Sequence, residues 1–160
     1  MQTLFSDLTV VELASVLAGP AVGNFFSELG AQVIKVENKK NIKLIEMDAE
    51  DMNFVDNTFD TVVTSCVFCS VPDPIKGLKE IRRVCKNNGK IIMLEHMRSN
   101  NEFVGKFMDI VNFIPLNIWG ANINRQTMKN LNKAGFKEND IEYQDIWSDI
   151  VKLIEIRNNK

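Results

Sequence analysis

The only histidine of the chain, His96, follows Glu95 at the end of an apolar segment that is typical of a β-strand. An imidazole at such an edge is a candidate general base, because its ordinary pKa lies near physiological pH. A single histidine at a strand end is more often a structural hydrogen-bond donor or acceptor, and the sequence assigns it no catalytic partner. His96 is therefore the catalytic candidate, but a weak one.

The three cysteines are predicted to be structural. Cys66 and Cys69 form a C-x-x-C pattern inside an apolar run, and Cys85 has no second pair nearby. A zinc site needs more ligands, and a redox pair needs an exposed, activated thiol. We expect buried thiols and no metal.

The length and composition indicate one ordinary globular domain, and they argue against nucleic-acid binding and a membrane span. The chain has 160 residues, of which 45% are hydrophobic and 25% charged, and a net charge of −2. There is no basic patch for nucleic acid and no apolar run as long as the ~18 residues of a membrane span. The N-terminus carries no signal-peptide pattern, so a cytoplasmic location is expected.

Strands and helices are predicted to alternate along the chain. The apolar runs predict strands at 9–14, 32–37, 42–47, 60–67 and 90–95, and the helical spacing predicts helices at 21–29, 74–86, 101–112 and, after an Asn124 cap, up to Gly135. Asp73 is predicted to cap the helix at 74–86, with Pro74 at its first position. Two last runs, 136–143 and 150–156, are predicted to pair as an antiparallel hairpin. The alternation predicts a single Rossmann-like domain, a three-layer α/β sandwich with a mainly parallel sheet.

An acidic residue ends the predicted strand 32–37. In dinucleotide-binding folds an acidic side chain at the corresponding position binds the ribose hydroxyls. Glu37 is therefore a candidate cofactor ligand, and a solvated strand end is the equally weighted alternative.

A series of motifs covers the chain from about residue 42 to 160. In chain order the main ones are Asp48-Ala-Glu-Asp-Met-Asn-Phe54, Asp56-Asn-Thr-Phe-Asp60, Leu78-Lys-Glu-Ile-Arg-Arg-Val84, Leu94-Glu-His96 and Leu131-Asn-Lys-Ala-Gly-Phe136. In this order and spacing they resemble the class I S-adenosylmethionine (SAM) dependent methyltransferases of the quinone-biosynthesis type. The resemblance implies SAM as cofactor and a small-molecule acceptor.

The same resemblance implies cofactor-binding residues. Glu12 matches the acidic position after the first strand, and Asp48 and Ala49 match the pair that contacts adenine, with Asp48 accepting from its amino group. Ser65, with Cys66, matches the position that lines the mouth where the methyl group is transferred. A loop cap is the alternative role for Asp48, and ordinary core packing is the alternative for Ser65.

The beginning of the chain resembles a different family. Val10-Val-Glu-Leu-Ala-Ser-Val-Leu-Ala-Gly-Pro20 and Phe26-Ser-Glu-Leu-Gly-Ala-Gln-Val-Ile-Lys-Val-Glu37 are similar to the opening βαβ unit of family III CoA-transferases, over about residues 4–38. We therefore predict a chimera, engineered or natural, of a CoA-transferase-like part (1–40) and a methyltransferase-like part (41–160). CoA transfer is not implied, because that family's catalytic aspartate has no counterpart here.

The glycine-rich cofactor loop of the methyltransferases is missing. Glu12-Leu-Ala-Ser-Val-Leu-Ala-Gly19 stands where the family has Glu-x-Gly-x-Gly-x-Gly, so Ala14 and Val16 replace two glycines. A Cβ atom at these positions crowds the ligand and excludes left-handed backbone. The sequence thus predicts weakened SAM binding.

The join between the two parts is short. A parallel crossover needs at least ~10–12 residues, and only the stretch 38–41 separates two predicted strands. We expect an altered topology at the second and third strands: they form an antiparallel hairpin, they merge into one long strand that drives a segment-exchanged homodimer, or the first piece is displaced and the sheet rearranges. Dimerisation is the favoured outcome.

Three functions stay open at this point. The first is a SAM-dependent methyltransferase, weakened or inactive; the second is an inactive chimeric scaffold; the third is a CoA or nucleotide binder that uses the turn Ala18-Gly19-Pro20. An apolar stripe is a candidate acceptor pocket, although core packing is the favoured interpretation of its members Phe103, Phe107, Phe113, Ile114 and Trp119.

Overall fold

The computed structural model describes residues Val10–Ala14 and 45–160. The strands are β1 (Val10–Ala14), β2 (Phe59–Ser65), β3 (Cys85–His96), β4 (Ile141–Trp147) and β5 (Val151–Arg157). The helices are α1 (Pro74–Val84), α2 (Glu102–Val111), α3 (Phe113–Trp119) and α4 (Thr127–Lys133), and a 3-10 turn covers Glu138–Asp140. Within these residues the fold is the α/β type that the alternating pattern predicts.

The described strands form one mixed sheet in the order β1-β2-β3-β5-β4. The pairs β1–β2 and β2–β3 are parallel, and the pairs β3–β5 and β5–β4 are antiparallel. The predicted antiparallel pairing of the C-terminal hairpin is confirmed, with β5 between β3 and β4, but its first strand begins at Ile141 instead of 136 because a 3-10 turn occupies Glu138–Asp140. The described part of the sheet is not mainly parallel, because the hairpin contributes as many antiparallel pairs as the other strands contribute parallel ones.

The central strand β2 is buried because it has a neighbour on each edge. Val62 and Thr64 are fully buried, which suits a run of β-branched residues in the middle of a sheet. Helix α1 packs its apolar face on the sheet through Leu78, Ile81 and Val84, all at most 1% exposed. This core fixes the strands whose ends form the candidate site.

Helix α1 begins as its sequence predicts. The Asp73 side chain accepts hydrogen bonds from the backbone N–H groups of Ile75 and Lys76, and Pro74 occupies the first turn, where its missing N–H costs nothing. The helix ends at Val84, two residues before the predicted end, because Cys85 already belongs to β3.

The entry into β3 requires a glycine. The register between β2 and β3 shifts between Phe59 and Thr61, where β3 passes close to β2. A Cβ atom on Gly89 would lie 2.7 Å from the Cys85 Sγ and 2.9 Å from the backbone oxygen of Asp60. No real Cβ atom tolerates such contacts, so any side chain here displaces β3.

Two local predictions are wrong. The described end of the predicted strand 42–47, Ile45 to Met47, is not paired in the sheet, and Ile45 is 43% exposed instead of buried. Asn124 does not cap α4: Gln126 holds the N-cap position, and the Asn124 side-chain amide donates to Asp109. A distant acceptor has therefore taken the expected capping group. Gly135 follows the helix end with φ 95°, as predicted.

Several predicted features lie outside the described residues: the helix at 21–29, the strand at 32–37, and the join at 38–41 with the altered topology expected there. Among the described helices, none has the length and apolarity needed to cross a membrane.

Gly89→Ala is expected to lower the free energy of unfolding by about 2 kcal/mol, because the added methyl group overpacks the β2–β3 junction. Urea unfolding followed by circular dichroism measures this change. Lys79→Ala, on the exposed side of α1, is the control and should change the midpoint little. Equal midpoints for both variants would contradict the packing argument.

Candidate functional site

The parallel strands β1, β2 and β3 end together at one edge of the sheet. Ala14, Ser65 and Leu94 lie in register at their carboxyl ends. In open α/β sheets the crevice beyond these ends is where ligands bind. The candidate site is therefore this edge and the loops that leave it.

Ser65 lies at the centre of this edge. Its side chain is 1% exposed, and its hydroxyl makes no hydrogen bond of normal geometry within the described residues. A buried polar atom without a partner is rare in folded proteins and usually marks a place where a ligand or water binds. The predicted site residue thus stands at the edge, where its hydroxyl interacts weakly with the neighbouring Cys66 thiol.

Glu95 is a carboxylate buried beneath the loop that follows β2. Its side chain has no exposed surface, and it accepts hydrogen bonds from the Thr64 hydroxyl at 3.0 Å, from the Val67 N–H at 3.2 Å and from the Phe68 N–H at 3.3 Å. Burial raises the pKa of Glu95 from its ordinary value near 4.5 to about 7, and the three hydrogen bonds oppose that rise.

The segment 66–71, here called the β2 loop, is held in an unusual conformation. Cys66 has φ 48°, a left-handed value that costs energy in a residue with a side chain. Its N–H donates to the Leu94 carbonyl at 2.8 Å, and farther along the loop the Cys69 carbonyl accepts from the Asn122 N–H at 2.8 Å. These bonds and those to Glu95 fix the loop over the strand ends.

The three thiols are poorly suited to nucleophilic or redox chemistry, and Cys85 lies at the amino end of β3, away from the candidate site. Cys69 and Cys85 are buried and Cys66 is half-buried, and all three are free thiols. Burial, with a smaller contribution from the charge of Glu95, raises the pKa of Cys66 to about 11. Burial also raises the pKa of Cys69. A thiol with a raised pKa stays protonated at neutral pH and is a weak nucleophile.

Asp48 and Ala49 open a second loop, residues 48–56, here called the acidic loop. Asp48 is exposed, and one of its carboxylate oxygens accepts from the Glu50 N–H at 2.8 Å. Ala49 is partly buried against the core, and its carbonyl lies 3.5 Å from the position that a Cβ on Gly77 would occupy. Asp48 does cap its own loop, and its exposed carboxylate remains accessible to a ligand.

His96 ends β3 and pairs with Val151 of β5. It is half-buried, and burial lowers the pKa of its imidazole. The side chain is therefore neutral at pH 7, which is the form that can accept a proton.

The apolar residues for which core packing was the favoured interpretation lie on the surface. Phe103 is 88% exposed, Phe107 64%, Phe113 62% and Ile114 44%. The core interpretation is wrong for these four residues, and the side chain of Trp119 lies outside the described residues. Only Gly105 and Met108 of α2 are buried, so the aromatic side chains of this helix face water.

The remaining predicted residues are placed only in part. Glu12 lies in β1 opposite Val63, and its side chain lies outside the described residues, as does the whole of Glu37. The structure brings Ser65 and His96 to the strand ends. It also brings Ala49 close to the β2 loop, because the Phe68 ring and the Ala49 carbonyl both approach Gly77.

Residues 13–93 match the family model described as a methyltransferase domain. That match covers just over half of the chain. The chain belongs to this methyltransferase family. The matched range includes most of the segment that resembles the CoA-transferases.

Named relatives and solved structures agree with this assignment. The chain is 28% identical over 113 residues to the ubiquinone/menaquinone biosynthesis C-methyltransferase of Hahella chejuensis, covering 66% of this chain and 45% of the relative. It is 41% identical over 68 residues to the demethylmenaquinone methyltransferase of a Geobacillus strain, covering 42% of this chain and 29% of the relative. The methyltransferase domain thus spans less than half the length of these relatives.

The fold is that of SAM-dependent methyltransferases. A crystal structure of a SAM-dependent methyltransferase from Thermotoga maritima matches with a TM-score of 0.62 at 18% identity, covering 98% of this chain and 84% of that one. A methyltransferase-type structure from Bacillus halodurans gives 0.66 at 15% identity, covering 94% and 92%. Family and fold together indicate SAM as the cofactor of the methyltransferase domain.

Sequence reasoning missed Glu95 as part of the site. The signal was present, because a single carboxylate ends the apolar run Ile91-Ile-Met-Leu94 in a strand predicted to be buried. A charged residue at such a position needs partners, and the N–H groups of a following loop are the nearest source.

The pH dependence of stability tests the burial of Glu95. Its pKa is higher in the folded than in the unfolded chain, so its contribution to stability is full below about pH 4.5 and is lost as the pH rises through about 7. At roughly 1.4 kcal/mol per pKa unit, wild-type protein should lose about 2 kcal/mol more than Glu95→Gln between pH 5 and pH 8.

Urea midpoints at both pH values measure this difference. Glu142→Gln, an exposed carboxylate of β4, is the matched control and should follow the wild type. Parallel pH profiles for wild-type protein and Glu95→Gln would show that Glu95 does not titrate in this range.

Proposed function

We propose that the methyltransferase domain transfers a methyl group from SAM to a small apolar acceptor of the quinone class. The observation that carries the proposal is an exposed aromatic face beside the carboxyl edge of a methyltransferase-family sheet. Two of the named relatives are quinone methyltransferases, which supports the acceptor class.

The residues at the edge fit the cofactor. Ser65 offers a buried hydroxyl that makes no hydrogen bond of normal geometry to the described residues, and Asp48 offers an exposed carboxylate on a loop whose Ala49 packs against the core. SAM, when bound, supplies an electrophilic methyl group on a sulfonium. In this proposal Asp48 accepts from the adenine amino group, Ala49 contacts the adenine ring, Ser65 binds near the methyl-transfer mouth, and Glu12 and Glu37 bind the polar groups of the ribose and the methionine end.

The apolar face is placed for an acceptor. Helices α2 and α3 leave the carboxyl end of β3, and the segment after α3 reaches the β2 loop through the Asn122–Cys69 bond. The exposed side chains of Phe103 and Phe107 offer an apolar surface next to the strand ends. Burying such a surface against an apolar ring system is favourable by roughly 25 cal/mol per Å².

A neutral His96 at the same edge is suited to accept a proton from the acceptor. The pKa of its imidazole is lowered by burial, so the free base is present at pH 7. Methyl transfer to a weakly acidic hydroxyl or carbon depends chiefly on alignment of the two reactants, with proton removal as a smaller contribution.

We also propose that residues 4–38 have a separate, CoA-transferase-like origin and that the affinity for SAM is weakened. The weakened affinity is proposed because glycines are missing at positions 14 and 16. The family match, which runs through the join at 38–41, favours treating both parts as one methyltransferase domain. The inactive scaffold and the CoA binder are alternatives that the binding experiment separates, and dimerisation by segment exchange stays a prediction for light scattering.

Calorimetric titration with S-adenosylhomocysteine tests the proposed cofactor site. We expect a dissociation constant on the order of micromolar, and at least about a tenfold loss of affinity in Asp48→Ala because the adenine amino group loses its acceptor. Asp51→Ala, an exposed carboxylate in the same loop, is the matched control and should bind as the wild type does.

Two results would contradict the proposed function. A cooperatively folded protein that gives no heat with S-adenosylhomocysteine would support the inactive scaffold. Binding of CoA in place of S-adenosylhomocysteine would support the CoA binder.

The acceptor class is tested with Phe107→Ser. Phe107 is 64% exposed, so its removal should leave folding and S-adenosylhomocysteine affinity unchanged. With a reduced, prenylated quinone as acceptor we expect the KM to rise about tenfold, because one aromatic contact is lost. Tyr143→Ser, at an exposed position of β4, is the control. An unchanged KM, or methylation of phosphatidylethanolamine vesicles but not of the quinone, would overturn the quinone assignment.

A further inference from the structure

One face of α1 contacts the acidic loop along the whole helix. The contacting residues are Asp73 at the N-cap, then Gly77, Glu80 and Arg83, which follow one another at helical spacing. Residues three or four apart on a helix lie on the same side, so this spacing forms a continuous stripe. The stripe faces the loop that begins with Asp48.

The first half of the stripe positions the start of the loop. The backbone N–H of Asp73 donates to the Glu50 carboxylate at 2.7 Å. One turn later Gly77 allows close approach, since a Cβ there would lie 3.1 Å from the Phe68 ring and 3.5 Å from the Ala49 carbonyl. The acidic loop and the β2 loop therefore pack on the same turn of α1.

The second half of the stripe binds the middle of the loop from both sides. The Glu80 carboxylate accepts from the Met52 N–H at 2.8 Å. The Arg83 guanidinium donates to the Met52 carbonyl at 2.7 Å and to the Phe54 carbonyl at 2.6 Å. Both backbone groups of Met52, its N–H and its carbonyl, are thus hydrogen-bonded to α1. These bonds fix the orientation of the peptide planes on either side of Met52.

Arg83 and Glu80 also fix one another. The guanidinium donates to both Glu80 carboxylate oxygens at 2.7 Å and to Asp56 at 2.9 Å. These bonds lower the pKa of Glu80 and raise the pKa of Arg83, so both stay charged at neutral pH. A lysine cannot reproduce the arrangement. Its three N–H donors all belong to one nitrogen, whereas the five N–H donors of the guanidinium are spread over a planar fork.

Asp48 depends on the part of the loop that α1 holds. Its carboxylate accepts from the Glu50 N–H at 2.8 Å, and its carbonyl accepts from the Asp51 N–H at 3.2 Å. The donors belong to the two residues that come before Met52 in the chain. A shift of Met52 therefore moves the Asp48 carboxylate.

We propose that Glu80 and Arg83 are positioning residues that set the place of the Asp48 carboxylate for the adenine amino group of the cofactor. This inference rests on the proposed function, in which Asp48 accepts from that amino group. Neither residue touches the cofactor in this proposal; both act through the acidic loop.

The test compares two ligands that differ only at the purine edge that carries the adenine amino group. These are S-adenosylhomocysteine and its deaminated analogue S-inosylhomocysteine, in which a carbonyl oxygen replaces the amino group and N1 carries a proton. Wild-type protein should prefer the adenine ligand by about tenfold, the scale of one lost hydrogen bond in a binding site. Arg83→Lys should bring the preference to about twofold or less and leave the affinity for the inosine ligand nearly unchanged, since only the Asp48 contact is displaced.

Arg82→Lys is the matched control. Arg82 is the neighbouring residue of α1, it is equally half-buried, and its guanidinium contacts the Asn159 carbonyl and the Phe136 ring on the other side of the helix. This variant should keep the wild-type preference. Glu80→Gln is the second test variant, because it keeps one oxygen to accept from the Met52 N–H and removes the charge that orients Arg83.

The outcomes separate this inference from the proposed function. Equal weakening of both ligands by Arg83→Lys, or an unchanged preference in Arg83→Lys and Glu80→Gln, would overturn the positioning role while the cofactor site stands. Absence of S-adenosylhomocysteine binding in wild-type protein would instead overturn the proposed function. Reduced preference in both variants, with the Arg82→Lys preference intact, would support the inference.

Discussion

The burial of the Glu95 carboxylate is the constraint on which the candidate site depends. A carboxylate without exposed surface costs several kcal/mol unless donors surround it, and here the donors are the Thr64 hydroxyl and the N–H groups of Val67 and Phe68. The β2 loop must therefore cross the end of β3, and this requirement accounts for the left-handed backbone at Cys66. A polar group inside the fold thus determines the shape of a surface loop.

The two loops of the site are held by different parts of the fold, and they meet at one point. The β2 loop is fixed from below by β3, whereas the acidic loop is fixed from the side by α1. They converge at Gly77, where the Phe68 ring and the Ala49 carbonyl approach the same helical turn. A Cβ at Gly77 would lie 3.1 Å from the Phe68 ring and in ordinary contact with the Ala49 carbonyl, so an alanine there would push against the β2 loop first. The position of the acidic loop relative to the β2 loop therefore depends on how α1 packs, and a rotation of that helix would move both loops.

Local signals account for the parts of the fold that the sequence predicted. The cap Asp73, the β4–β5 hairpin and the stop at Gly135 each depend on neighbours in the chain, and all are present. The missed features depend on tertiary contacts. Helical spacing shows that Phe103 and Phe107 share a face, but it does not say whether protein or water covers that face. In the same way the motif containing Glu80 and Arg83 carries no local sign that the pair binds the acidic loop. Ser65 lies at the carboxyl end of β2, as expected from the run of β-branched residues before it, and its role as a cofactor ligand stays a prediction.

At position 14, the first glycine position of the family's cofactor loop, the alanine costs less conformational strain than the sequence suggests. A glycine is indispensable where the backbone is left-handed, but Ala14 is the last residue of a regular parallel strand and pairs with Ser65. Extended backbone at this point accepts an alanine without conformational strain, so only the volume of one methyl group remains as an obstacle to a ligand. Because Ser65 lies in register with Ala14, a polar side chain stands beside the position that lacks a glycine in the proposed cofactor site. The cost of replacing this glycine is therefore one of fit and not of folding, which is why the methyltransferase sheet forms with alanine in that place.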